Sequence, residues 1–122
     1  MPADQELISF IRSTFASVWS LELALLLRKE PDTVWSHDRM VTALRASNLV
    51  VMQSVTTLHA AGVLMIEEHG ARYAPISEDL DHLIGKTESL YLVRPDRVRR
   101  IIISQRTGSL ASFADAFKLG EP

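Results

Sequence analysis

The chain has 122 residues and a mass of 13.6 kDa, one domain's worth of protein, with 47% apolar and 23% charged residues. It contains no cysteine, which excludes a disulfide framework, a thiolate metal site and a cysteine nucleophile. Its net charge of −2 does not announce a nucleic-acid partner, and no apolar run approaches the ~20 residues of a membrane-spanning helix. The start, Met-Pro-Ala-Asp-Gln-Glu, is acidic and unlike a signal peptide, so a cytoplasmic protein is the expectation. The charge is unevenly spread: residues 1–91 carry −5 and residues 92–122 carry +3, with Arg94, Arg97, Arg99 and Arg100 close together.

Helical spacing of Leu7, Ile8, Ile11 and Phe15 predicts a first helix from Asp4, its N-cap, to about Ala16. A second helix is expected from Ser20 to Lys29. Its leucines cover most of the circumference, which marks a buried helix stopped by Pro31. Ser36 opens a third, carrying Met40, Val41 and Leu44, and Ser47 caps a fourth that closes at Gly62. Val51, Val55 and Leu58 form the inner stripe of the fourth. Val63–Ile66 and Tyr73–Ile76 read as two short strands around a turn at Gly70, with Pro75 confining the second to an edge.

Ser77 caps a fifth helix with the stripe Leu80, Leu83, Ile84, Thr87, Leu90 and Tyr91. This stripe serves either a dimer seam or packing on the first helix. The segment Arg97–Gln105 favours helix, although the β-branched run Ile101–Ile103 leaves a strand open. After Gly108, a last helix carries Leu110, Phe113 and Phe117 on one side.

The order of helices, with Leu58-His-Ala-Ala-Gly-Val-Leu closing the fourth and Glu67-Glu-His-Gly-Ala-Arg-Tyr following, resembles a winged helix-turn-helix protein. The first of these motifs is similar to the Leu-x-x-x-Gly-Leu-Val signature of MarR-like regulators. Ser17-Val-Trp-Ser-Leu-Glu-Leu and Ser112-Phe-Ala-Asp-Ala-Phe also resemble small proteobacterial winged-helix proteins. The resemblance implies a mostly α fold with a small β-hairpin wing. Residues 1–76 would form the winged helix-turn-helix domain and residues 77–122 a C-terminal helical extension in the same compact unit. It implies a DNA-binding transcriptional regulator, a homodimer on double-stranded DNA. No cofactor, catalytic or metal site is expected from the residues themselves, since His37, His59, His69 and His82 lack ligand spacing and no phosphate-loop or nucleophile motif occurs.

On that reading the fourth helix enters the major groove, where Asn and Gln pair with adenine and Thr reaches phosphate or a thymine methyl. The candidate contacts are Ser47, Asn48, Val50, Gln53, Thr56 and Thr57. Arg39, His69 and Arg72 flank them, and Arg94 and Arg97 add backbone contacts. The alternative is a winged-helix module that binds a protein through Leu49 and Met52, or through Leu110, Phe113 and Phe117. It draws weight from the absence of any Lys or Arg between Ser47 and Met65. Arg94, Arg97, Arg99 and Arg100 can equally be a solvated face paired to Glu78, Asp79 or Asp81, and Trp19 and Trp35 read as core residues. A ligand pocket between the first domain and the extension is a third option, with no residue set pointing to it.

Overall fold

A computed structural model describes residues 2–104, with side chains from residue 5. These residues form six helices and one two-stranded antiparallel hairpin. The elements are α1 (Pro2–Thr14), α2 (Val18–Arg28), α3 (His37–Leu44), α4 (Asn48–Ala60), β1 (Leu64–Glu67), β2 (Gly70–Tyr73) and α5 (Glu78–Val93), followed by α6 (95–104). The expected helix at 109–119, with Leu110, Phe113 and Phe117, lies outside the described residues.

Each helix start has a local chemical cause. Ser36, Ser47 and Ser77 cap α3, α4 and α5 by accepting hydrogen bonds from the amides of Arg39, Val50 and Leu80. At α2 the expected cap is corrected. Ser17 caps the helix and Ser20 sits at its third position, the two forming a reciprocal capping box. Both serines satisfy the local rule; the capping box decides between them because it serves two otherwise unpaired amides. Asp4 likewise falls inside α1, which starts at Pro2. The α3–α4 turn is tight because Arg45 adopts the left-handed conformation, φ 57°.

The hairpin sits differently from the expectation. Its second strand is Gly70–Tyr73 rather than Tyr73–Ile76, and the turn is Glu68–His69. Leu64 pairs with Tyr73 and Glu67 with Gly70. The other edge of β2 is taken by Trp35, whose amide donates to the Ala71 carbonyl at 2.8 Å and whose carbonyl accepts from the Ala71 amide at 3.0 Å. This third rung fixes the register: it buries Ala71 and Tyr73 against the core.

A single core cluster joins all these elements. Ile11 from α1 and Phe15 just after it, Leu21, Leu23, Ala24, Leu25 and Leu27 from α2, Met40, Val51, Leu58, Ile84, and Val98, Ile101 and Ile102 from α6 belong to it. Burial of each such side chain contributes about 1.5–3 kcal/mol. The α5 stripe packs on α1 within the chain, as one of the two expectations for it had it. Ser54, rather than Val55, is the fully inward neighbour of Val51 and Leu58; Val55 is half-buried. The α6 segment is helical throughout 95–104, because Val98, Ile101 and Ile102 lie on one helical face against the core. Trp35 is a core residue as expected, but Trp19 is 43% exposed at the start of α2.

Candidate nucleic-acid interface

The outward side of α4 follows from its inward side. Val51, Ser54 and Leu58 are buried, and α4 packs on α2, α3 and β1. At 100° per residue the opposite face is Asn48, Leu49, Met52, Gln53, Thr56, His59 and Ala60, and all seven are exposed. Leu49 and Met52 are 62% and 58% exposed, so the centre of this face is apolar.

Of the residues expected to point outward, Val50 and Thr57 do not stand clear. Both are half-buried beside Trp19, lining a shallow cavity with Ala16, Ser17 and Gln53. The indole of Trp19, unburied by the core, covers this flank of α4 instead. The Thr57 hydroxyl donates to the Ser54 carbonyl at 3.1 Å. The Thr56 hydroxyl donates to the Met52 carbonyl at 2.8 Å and remains exposed. Ser47 uses its hydroxyl as the α4 cap. Asn48 Oδ1 lies 3.0 Å from His37 Nε2, a contact that ties the first turn of α4 to the first turn of α3. Gln53 makes no side-chain hydrogen bond among the described residues and is free to meet a partner.

Two of the predicted cations are already engaged. Arg39 pairs with Glu30 at 3.2 Å and stacks over the Trp35 ring at 3.6 Å. Arg72 lies 3.1 Å from Glu67, its neighbour across the hairpin. Both pairs are partly exposed, so each is worth less than about 1 kcal/mol and yields to a stronger anion. His69 stands at the hairpin tip, its side chain 86% exposed, with Glu68 4.0 Å away. Arg94 ends α5 and Arg97 lies on α6, both exposed.

The late arginines do not pair with Glu78, Asp79 or Asp81. Arg28 does that work: its guanidinium lies 3.7 Å from Asp81 and 3.1 Å from Glu88, holding α2 to α5. Arg99 pairs with Asp96 at 3.5 Å. Tyr73 donates to Asp81 at 2.5 Å. Burial, and then that carboxylate acceptor, push its hydroxyl pKa well above the ordinary tyrosine range. Tyr91, half-buried and donating to Glu22, is raised for the same reasons in the same order.

Two residues join the face that sequence reasoning left out. His59 projects from α4 two turns beyond Met52, a position given by its spacing of eleven from Asn48. Arg45, in the α3–α4 turn, is exposed beside the α4 start. Its proximity to Ser47 in the sequence was the available signal. Comparison with known proteins gives no match to a protein-family model, to a curated protein or to a solved structure. Among the described residues no single helix is long and apolar enough to cross a membrane.

Proposed function

We propose that the chain is a winged helix-turn-helix DNA-binding transcriptional regulator of the cytoplasm that acts as a homodimer by occupying promoter sites. The observation that carries this reading is the linkage of α3, a tight turn at Arg45 and a capped, outward-facing α4, beside a hairpin braced by Trp35. That order gives a protruding second helix for the major groove and a hairpin for the adjacent backbone. Asn48, Gln53, Thr56 and His59 would meet base edges, with Leu49 and Met52 against thymine methyls. Since α4 carries no Lys or Arg, phosphate affinity would come from its flanks. Arg45 and the α4 amides lie at one end, and Arg72 and His69 on the hairpin. Leu92 and Val93, exposed at the end of α5, are available to a second copy.

The test is fluorescence anisotropy of the purified chain with random genomic duplex fragments across a salt series. Binding at about 50 mM salt that weakens steeply with log salt supports the reading. No binding at that salt removes it. A specific observation favours one other reading, a protein-interaction module: Leu49 and Met52 put an apolar centre on α4. Leu49→Asp with Met52→Asp would then abolish partner capture, whereas Gln53→Ala would leave it intact. On the DNA reading Gln53→Ala costs about 1–3 kcal/mol of sequence discrimination.

A further inference from the structure

The side of the molecule formed by α1 and α6 carries a second cationic feature. Arg12, in the last turn of α1, lines an open groove of about 450 Å³ with Arg97, Arg100, Ile101 and Ser104 of α6. Among the described residues no carboxylate lines this groove. Three arginines therefore converge on one space, in a chain whose total charge is negative.

The packing of α6 fixes which of its residues face this groove. Val98, Ile101 and Ile102 are buried in the core, which fixes the rotation of the helix. Arg97 and Arg100, three residues apart, then share one flank, with Ser104 one turn further along. Arg99 falls on the other flank, where it pairs with Asp96 and lies 5.6 Å from the centre of the Tyr91 ring. None of Arg12, Arg97 and Arg100 has a carboxylate within 4.0 Å among the described residues, whereas Arg28, Arg39, Arg72 and Arg99 all do. The nearest acidic residue on α1 is Glu6, which shares an adjoining groove with Arg12. Like charges held together without counter-charges in the protein are stabilised by an external anion.

The location indicates which anion. Arg12 is four residues before Ala16, and Ala16 and Ser17 line the shallow cavity against Val50, Gln53 and Thr57 of α4. The arginine groove thus lies close along the chain to the α1–α2 corner that lines the flank of α4. Four residues reach at most about 14 Å even when fully extended, so both fit within one duplex turn of ~34 Å.

We propose that Arg12, Arg97 and Arg100 form a second phosphate-contacting patch, on which the backbone of a duplex rests while α4 occupies the groove. This rests on the DNA-binding reading and extends it. It adds a contribution from the α1–α6 side of the fold to the backbone affinity supplied by the flanks of α4.

The experiment compares the full-length chain with Arg12→Gln, Arg97→Gln, Arg100→Gln and the triple variant. The probe is a fluorescein-labelled 30-base-pair duplex, titrated between about 50 and 200 mM salt. Each substitution is expected to lower the slope of log affinity against log salt by about 0.9, and the triple variant by between 2 and 3. Arg99→Gln, on the other flank, is expected to leave the slope unchanged. All four residues altered are exposed, so thermal melts should coincide with that of the parent. A parent chain that binds while the triple variant keeps its slope overturns the patch alone. So does a loss from Arg99→Gln equal to that from Arg97→Gln, since net charge would then be the cause. A parent chain that fails to bind any duplex overturns the DNA reading, and the patch with it.

Discussion

Replacing Gly70 by alanine should separate the hairpin from the rest of the molecule. Gly70 has φ +155°, and a Cβ built there lies 1.8 Å from the Trp35 carbonyl oxygen, 2.7 Å from its carbonyl carbon and 3.0 Å from Ser36 Cα. All three obstacles are backbone, so no side-chain rotation relieves them. Relief requires the chain at Trp35 to move by more than 1 Å from β2, which breaks both hydrogen bonds between Trp35 and Ala71. Each such bond is worth about 1 kcal/mol net, and an amide left buried without a partner costs about 1–3 kcal/mol more. Ala71 is fully buried, so the total is about 3–5 kcal/mol. That is a large share of the ~5–15 kcal/mol stability of a typical domain. For a chain of this size it corresponds to a fall in Tm of roughly 10–20 °C. The assay is urea unfolding in a Trp19→Phe background, followed by far-UV circular dichroism and Trp35 emission. Emission from the variant should shift toward that of exposed indole before global unfolding. A loss below about 1 kcal/mol with unchanged emission would refute the close approach of Trp35 to β2. Gly62→Ala is the informative contrast. Its φ of +79° imposes about 1–2 kcal/mol of backbone strain, but the Cβ meets the side chain of Ile76 at 2.9–3.1 Å, which is exposed and lies outside the core, rather than buried backbone.

Alkaline unfolding should depend on two tyrosines. Tyr73 and Tyr91 hold their protons above the ordinary range in the fold, chiefly through burial and then through Asp81 and Glu22. In the unfolded chain both release protons near pH 10, so the fold has their full contribution below that pH and loses it as pH rises further. Tyr73→Phe should flatten the decline in Tm above about pH 10; an unchanged decline would exclude Tyr73 as a source. Ser17→Ala removes one half of the α2 capping box and should cost about 1 kcal/mol in urea unfolding, whereas a neutral result would place the helix start elsewhere. Leu58→Ala empties a fully buried site between α4 and the core and should cost about 2–5 kcal/mol by the same assay.

The starts of α3, α4 and α5 were legible because capping acts within three residues, whereas at α2 both Ser17 and Ser20 satisfy the local rule. Ser36, Ser47 and Ser77 needed no tertiary information, and neither did the stop at Gly62. The mostly helical class, with a small hairpin after α4, follows from apolar spacing in the same way. The hairpin register did not. Both Gly70–Tyr73 and Tyr73–Ile76 satisfy local strand preferences, and the choice rests on Trp35, 36 residues from Ala71, closing the outer edge of β2. Nor did the orientation of α4. Val51 and Leu58 marked its inner face, but only contact with Trp19 and the α1–α2 corner turns Val50 and Thr57 inward and leaves His59 outside. The arginines show the same division. Sequence reveals their number and proximity along the chain. Which of them are neutralised, as Arg28, Arg39 and Arg72 are, and which share a groove with no carboxylate among the described residues, as Arg12, Arg97 and Arg100 do, depends on distances between residues remote in sequence. Caps and periodicity are short-range properties of a chain. Strand register, helix rotation and charge pairing are set by the packing of distant segments, and are decided only when the core closes.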